Sequence, residues 1–178
     1  MSFKCIDISA FCQEFICEGS AVRVSDWNII ILCIYRTPDS SFRLFIDNLD
    51  NLLQHVFKKF VKNNERVALA GDLKVDFLNL ESSETEVFLN LLRSFNLYCT
   101  NHSPTRLTAG LDNIYTNLTP DYYEVSLVDQ DISDHTGVWL KLNLHHDVPA
   151  PKEDTPMRKR RLMNETTWTI ASHHDLFI

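Results

Sequence analysis

The hydrophobic period of the chain changes in mid-sequence from that of strands to that of a helix and back again. Ser20 to Tyr35 alternates (Ala21-Val22-Arg23-Val24) and then runs apolar from Ile29 to Tyr35, which predicts two adjacent strands joined through Ser25-Asp26-Trp27-Asn28 and stopped at Pro38. From Ser41 the apolar positions Phe42, Phe45, Ile46, Leu49, Leu52, Leu53, Val56, Phe57 and Phe60 fall at i, i+3, i+4 spacing. That predicts a long amphipathic helix, capped by Asp39, Ser40 or Ser41 and ending near Asn63-Asn64. Val67-Ala68-Leu69-Ala70 then reads as a buried strand whose end, at Gly71, delivers the next residues to the rim of a sheet. A capping box of Ser83 and Glu86 opens a second helix over Val87, Phe88, Leu91, Leu92 and Phe95. Strands are expected at Leu97 to Thr100, Asn113 to Tyr115, Tyr123 to Val128 and Val138 to Leu144. The order strand, helix, strand, helix, strands defines an α/β class.

Composition narrows the functional classes. The 178 residues carry 24 acidic and 17 basic side chains, a formal charge of −7, which excludes a globally basic nucleic-acid binder. It leaves open an enzyme that meets nucleic acid through metal ions, because carboxylates holding cations are acidic by construction. Apolar residues make up 44%, enough for one globular core. No apolar run approaches membrane-spanning length and the opening residues do not form a secretory signal, so no membrane is expected. The cysteines (Cys5, Cys12, Cys17, Cys33, Cys99) are odd in number and form no C-x-x-C, which points to a reducing compartment, nucleus or cytoplasm. Sequons beginning at Asn101, Asn117 and Asn164 read as chance in that setting. Neither a Walker motif nor a Rossmann fingerprint is present.

The polar positions that draw notice are Asp72, at the end of a buried strand, and Ser133-Asp134-His135, just before the last strand. Both sit where α/β sheets place ligands. A carboxylate there can hold Mg²⁺ or take a proton from water, and an imidazole paired with a carboxylate can donate to a phosphoryl oxygen. Singly, each is weak, since a strand-end Asp more often forms a turn.

In series they are specific. Ile31-Leu32-Cys33-Ile34-Tyr35-Arg36-Thr37-Pro38, Gly71-Asp72-Leu73-Lys74, Pro104-Thr105-Arg106, Leu111-Asp112-Asn113-Ile114-Tyr115-Thr116-Asn117 and Ile132-Ser133-Asp134-His135 follow one another in order. This series resembles the endonuclease/exonuclease/phosphatase superfamily, and most closely the apurinic-type endonuclease domain of LINE-type non-LTR retrotransposons. The resemblance covers residues 1–145, the carboxy-terminal majority of such a domain. It leaves 146–178, with the basic run Arg158-Lys159-Arg160-Arg161, as linker and tail. It implies a four-layered α/β sandwich lacking its opening strands, and Mg²⁺-dependent (or Mn²⁺-dependent) hydrolysis of a DNA phosphodiester. By the resemblance Tyr35 bonds to the scissile phosphate and Asp72 activates the attacking water. Asp112 orients His135, His135 stabilises the pentacovalent phosphate, and Asp134 binds or approaches the metal. Arg106 either contacts a DNA phosphate or bridges sheet to loop.

Two departures stand out. The family's G-D-x-N motif ends here on Lys74, a side chain with donors only and no planar amide, which offers charge to a phosphate and competes with a metal for Asp72. The family's main metal-ligand Glu lies in opening strands that the resemblance does not cover. Gln13-Glu14 is too close to Tyr35 to replace it, and Glu14 reads as a surface carboxylate. Losing that ligand lowers Mg²⁺ affinity, and losing the strands leaves a sheet edge and an apolar face uncovered, open to a chain that supplies the absent half. Two readings therefore stand: a retrotransposon-derived nuclease, or a catalytically silent module that serves binding or assembly, or is an expressed relic.

Overall fold

The computed structural model describes residues 2–62, 65–129 and 134–143. The elements follow the predicted order. Strands β1 (Phe3–Ile6), β2 (Cys17–Val24) and β3 (Ile29–Arg36) are followed by α1 (Phe42–Lys59), β4 (Arg66–Asp72), α2 (Ser83–Ser94), β5 (Tyr98–Cys99), β6 (Asp112–Thr116), β7 (Tyr123–Val128) and β8 (Gly137–Leu142). The first six strands in chain order form one mixed sheet, β1-β2-β3-β4-β6-β5, in which only β3 and β4 run parallel. The crossover between them is α1, as a parallel connection requires. Strands β7 and β8 pair separately as an antiparallel hairpin.

Alternation along the strands sorts the sheet into two faces. Ile30, Leu32 and Ile34 of β3, Val67 and Leu69 of β4 and Tyr115 of β6 are buried against Phe45, Leu49, Leu53 and Val56 of α1 and Phe88 and Leu92 of α2. Phe88 meets Tyr115 edge-on, ring centroids 5.5 Å apart. On the other face Ile29 and Ala68 pack with Ile31, Ile114 and Leu142, which seats the hairpin there. The described residues thus stack helices, sheet and hairpin, three layers of the expected sandwich. The rest of that second face is open: Phe3 is 70% and Tyr35 41% exposed, and Cys5 and Cys33 are exposed too.

Local chemistry fits these bounds. The Ser41 hydroxyl accepts from the Leu44 amide and caps α1, and Lys58 and Lys59 lie at its negative end. The cap of α2 is Ser82, whose hydroxyl accepts from Thr85, one residue ahead of the predicted box, with Glu84 and Glu86 in the first turn. The Arg23 guanidinium from β2 meets the buried Glu65 carboxylate at 2.7 Å and also donates to the Phe60 carbonyl, which ties β2 to the end of α1. Strand β1 was not predicted, because three of its four residues are exposed and carry no alternation. The expected helix stop at Asn63-Asn64 and the expected tail 146–178 with its basic run lie outside the described residues. Among the described residues no helix is long and apolar enough to cross a membrane.

Candidate active site

The site is built where β4 ends and β6 begins. Their antiparallel register sets Asp72 directly opposite Asp112, with Gly71 opposite Asn113. Like charges facing each other across a ladder are destabilising, so a pair of half-buried carboxylates here calls for cations. Gly71 is the residue that lets β4 reach this point. Its φ is 147°, and a Cβ on it would stand 1.8 Å from the Ile34 carbonyl oxygen of β3. Only glycine fits so close a backbone approach.

Asp112 and His135 are held by a network of hydrogen bonds. Asp112 Oδ2 lies 2.7 Å from His135 Nδ1. A carboxylate only accepts, so Nδ1 carries the proton. The buried Thr105 joins the two chain segments: its hydroxyl accepts from the Leu111 and Asp112 amides at 3.0 and 3.1 Å, and its carbonyl accepts from the Thr136 amide at 2.7 Å. Behind them the Asn113 side-chain oxygen accepts from the Asn101 amide at 3.1 Å and its amide nitrogen donates to the Asn101 carbonyl at 2.8 Å. Asp76 Oδ1 accepts from the Gly110 amide at 2.9 Å, and a Cβ on Gly110 would collide with the Phe77 ring.

Asp72 is held differently. The Lys74 ammonium forms an ion pair with Asp72 Oδ2, both side chains about a fifth to a quarter exposed. Lys74 adopts φ 52°, the left-handed region in which asparagine is favoured over lysine. Its carbonyl accepts from Arg36 Nη1 at 3.3 Å. Arg36 is itself buried, bonded to Ser40 and packed against the Phe42 and Phe45 rings, and burial lowers its pKa.

Asp72, Asp112 and His135 each bring one ligand atom within 4.8 Å of the others. They border an open cleft of about 380 Å³ whose walls also include Gly71, Thr136 and Val138. Two carboxylate oxygens suit Mg²⁺ or Mn²⁺. The donor set therefore fits a divalent cation, with the Lys74 ammonium standing on one donor. Asp134, expected at the metal, is paired: Arg106 Nε and Nη2 hold its Oδ2 at 2.8 and 2.7 Å, and its Oδ1 is 4.0 Å from His135 Nε2. The hydrogen bond from Arg106 lowers the Asp134 pKa. Arg106 thus ties its own loop to the segment that carries His135. Tyr35 stands at the end of β3 on the open sheet face, outside the cleft walls, and Glu14 is exposed. Thr105, Arg36 and Asp76 were not singled out by sequence, although the first two lie inside the quoted blocks.

No protein-family model matches the chain, and no curated protein matches it. Among solved structures it is similar to the endonuclease domain of TRAS1, a telomere-specific non-LTR retrotransposon, with a TM-score of 0.58 at 15% identity. That likeness covers 80% of this chain and 69% of that domain. An endonuclease/exonuclease/phosphatase protein from Beutenbergia cavernae (18% identity, TM-score 0.47, 71% of this chain and 39% of that one) is also similar. So is the human Nocturnin catalytic domain, at 14% identity and a TM-score of 0.47, over 78% of this chain and 60% of that domain. The chain has the fold of the TRAS1 endonuclease domain.

Proposed function

We propose that the chain is a Mg²⁺- or Mn²⁺-dependent phosphodiester hydrolase of retrotransposon endonuclease descent, acting on DNA. The observation that carries this reading is the constellation itself: two carboxylates opposed on neighbouring strand ends, one of them orienting an imidazole at 2.7 Å, in an open cleft. In the hydrolysis Asp72 accepts the proton of the attacking water as the new P–O bond forms and the bond to the leaving sugar oxygen breaks. Asp112 orients His135 through Nδ1, so that in the imidazolium form the Nε2 proton stabilises the developing phosphoryl charge and passes to the leaving oxygen. A divalent cation would be held by Asp72 and Asp112 and would supply Lewis-acid polarisation of the phosphoryl oxygens. Tyr35 and Lys74 are the candidate phosphate contacts, and Asp134 holds the loop that carries His135 through Arg106. A chain supplying further strands to the open sheet face is a candidate partner. The second reading, a silent binding module, draws on the Lys74–Asp72 ion pair, which occupies the proposed base.

The test is conversion of supercoiled plasmid to open circles with Mg²⁺ or Mn²⁺, beside His135→Ala. The proposal expects nicking that needs the metal and falls about 10²- to 10⁴-fold in His135→Ala. No metal-dependent nicking by the parent chain moves it to the silent class.

A further inference from the structure

Each carboxylate at the cleft has a partner from within the chain. Asp72 and Asp112 oppose each other on β4 and β6, and each has its own partner: the Lys74 ammonium on Asp72 Oδ2 and the His135 imidazole on Asp112 Oδ2. Lys74 reaches Asp72 from only two residues away. It does so from a left-handed backbone, φ 52°, with its own amide 3.4 Å from Asp72 Oδ1 and its carbonyl fixed by Arg36. The ammonium is thus delivered by a turn whose backbone is already committed, at little entropic cost per contact.

We infer that Lys74 is a tethered cation that occupies one donor of the divalent site, so that a metal ion binds only by displacing it from Asp72. This rests on the proposed metal-dependent function and adds to it a built-in competitor. An ammonium and a divalent ion on one carboxylate oxygen repel each other and compete for its lone pairs, so each weakens the other's binding. With Lys74 in place the two carboxylates face one fixed positive charge; with a neutral side chain they face none and match a divalent ion. Asparagine suits the left-handed backbone at least as well as lysine does, so Lys74→Asn removes the competitor and keeps the turn.

The experiment measures Mn²⁺ binding to the full chain by the loss of the free Mn²⁺ signal in electron paramagnetic resonance, for the parent, Lys74→Asn and Lys74→Asn/Asp72→Asn, with melting curves to show that each is folded. The inference expects Lys74→Asn to bind Mn²⁺ about 10- to 100-fold more tightly than the parent, the range over which neighbours of metal ligands tune affinity. The added Asp72→Asn should abolish that gain. Parent and Lys74→Asn binding equally tightly overturns the tethered cation and leaves the metal centre standing. Folded variants that all fail to bind Mn²⁺ overturn both. A gain that survives Asp72→Asn places the released site elsewhere and overturns the inference.

Discussion

The two carboxylates of the cleft are one register pair, yet they are held by opposite means. Asp112 belongs to a hydrogen-bonded scaffold: Thr105 secures its amide and the Thr136 amide, Asn113 and Asp76 secure the flanking loop, and the imidazole of His135 completes it. Asp72 depends on backbone shape and one charge, namely the close pass of Gly71 over Ile34, the left-handed Lys74 and its ammonium. The first arrangement is made of many directional bonds and positions an imidazole. The second is made of few and can be released by changing one side chain. The site's poised half and its adjustable half are thereby separate.

Gly71→Ala puts the sharpest strain on this contrast. A Cβ 1.8 Å from a backbone oxygen, on a residue at φ 147°, cannot be accommodated without moving β4 from β3. We expect a loss of about 4 kcal/mol or more, read as failure to fold or a broad early melt; a melting curve like the parent's would show that the Asp72 half is not built on that contact. Thr105→Val attacks the other half. It leaves the Leu111 and Asp112 amides without their acceptor, at about 1–3 kcal/mol. For a domain this size the melting temperature should fall by about 2–4 °C for each kcal/mol, and Thr105→Ser should restore it. Lys74→Asn exchanges an ion pair for a better left-handed residue, so its metal-free stability should change by less than about 1 kcal/mol in calorimetry.

The smallest effect is at Asp134. The Arg106 hydrogen bond holds its carboxyl below the ordinary 3.8, so the clasp's contribution is present above that value and is lost as the pH falls through the lowered pKa. Carboxyl NMR should place the Asp134 midpoint below 3.8 in the parent and return it toward 3.8 in Arg106→Ala.

Much of this was legible in the chain. The strand-to-helix change of period located β3, α1 and β4, and β7 matched Tyr123 to Val128 to the residue, because those segments bury a regular face. Asp72, Asp112 and His135 were singled out in advance, and the fold brings them together. Hidden were the features that depend on contacts far along the chain. Thr105 reads as an ordinary loop threonine until Thr136 is placed against it, and Arg36 as a charged strand end until it reaches the Lys74 carbonyl. Asp134 was expected at the metal from the S-D-H block of the resemblance, and nothing local in the sequence showed that Arg106, far back along the chain, meets its carboxylate.

The most direct test of the account is plasmid nicking in Mn²⁺ by three chains side by side: the parent, Lys74→Asn and Lys74→Asn/His135→Ala. The account predicts that Lys74→Asn nicks about tenfold or more faster than the parent at limiting metal, and that the added His135→Ala removes the gain. Nicking no faster in Lys74→Asn, or nicking that survives the loss of His135, would contradict it.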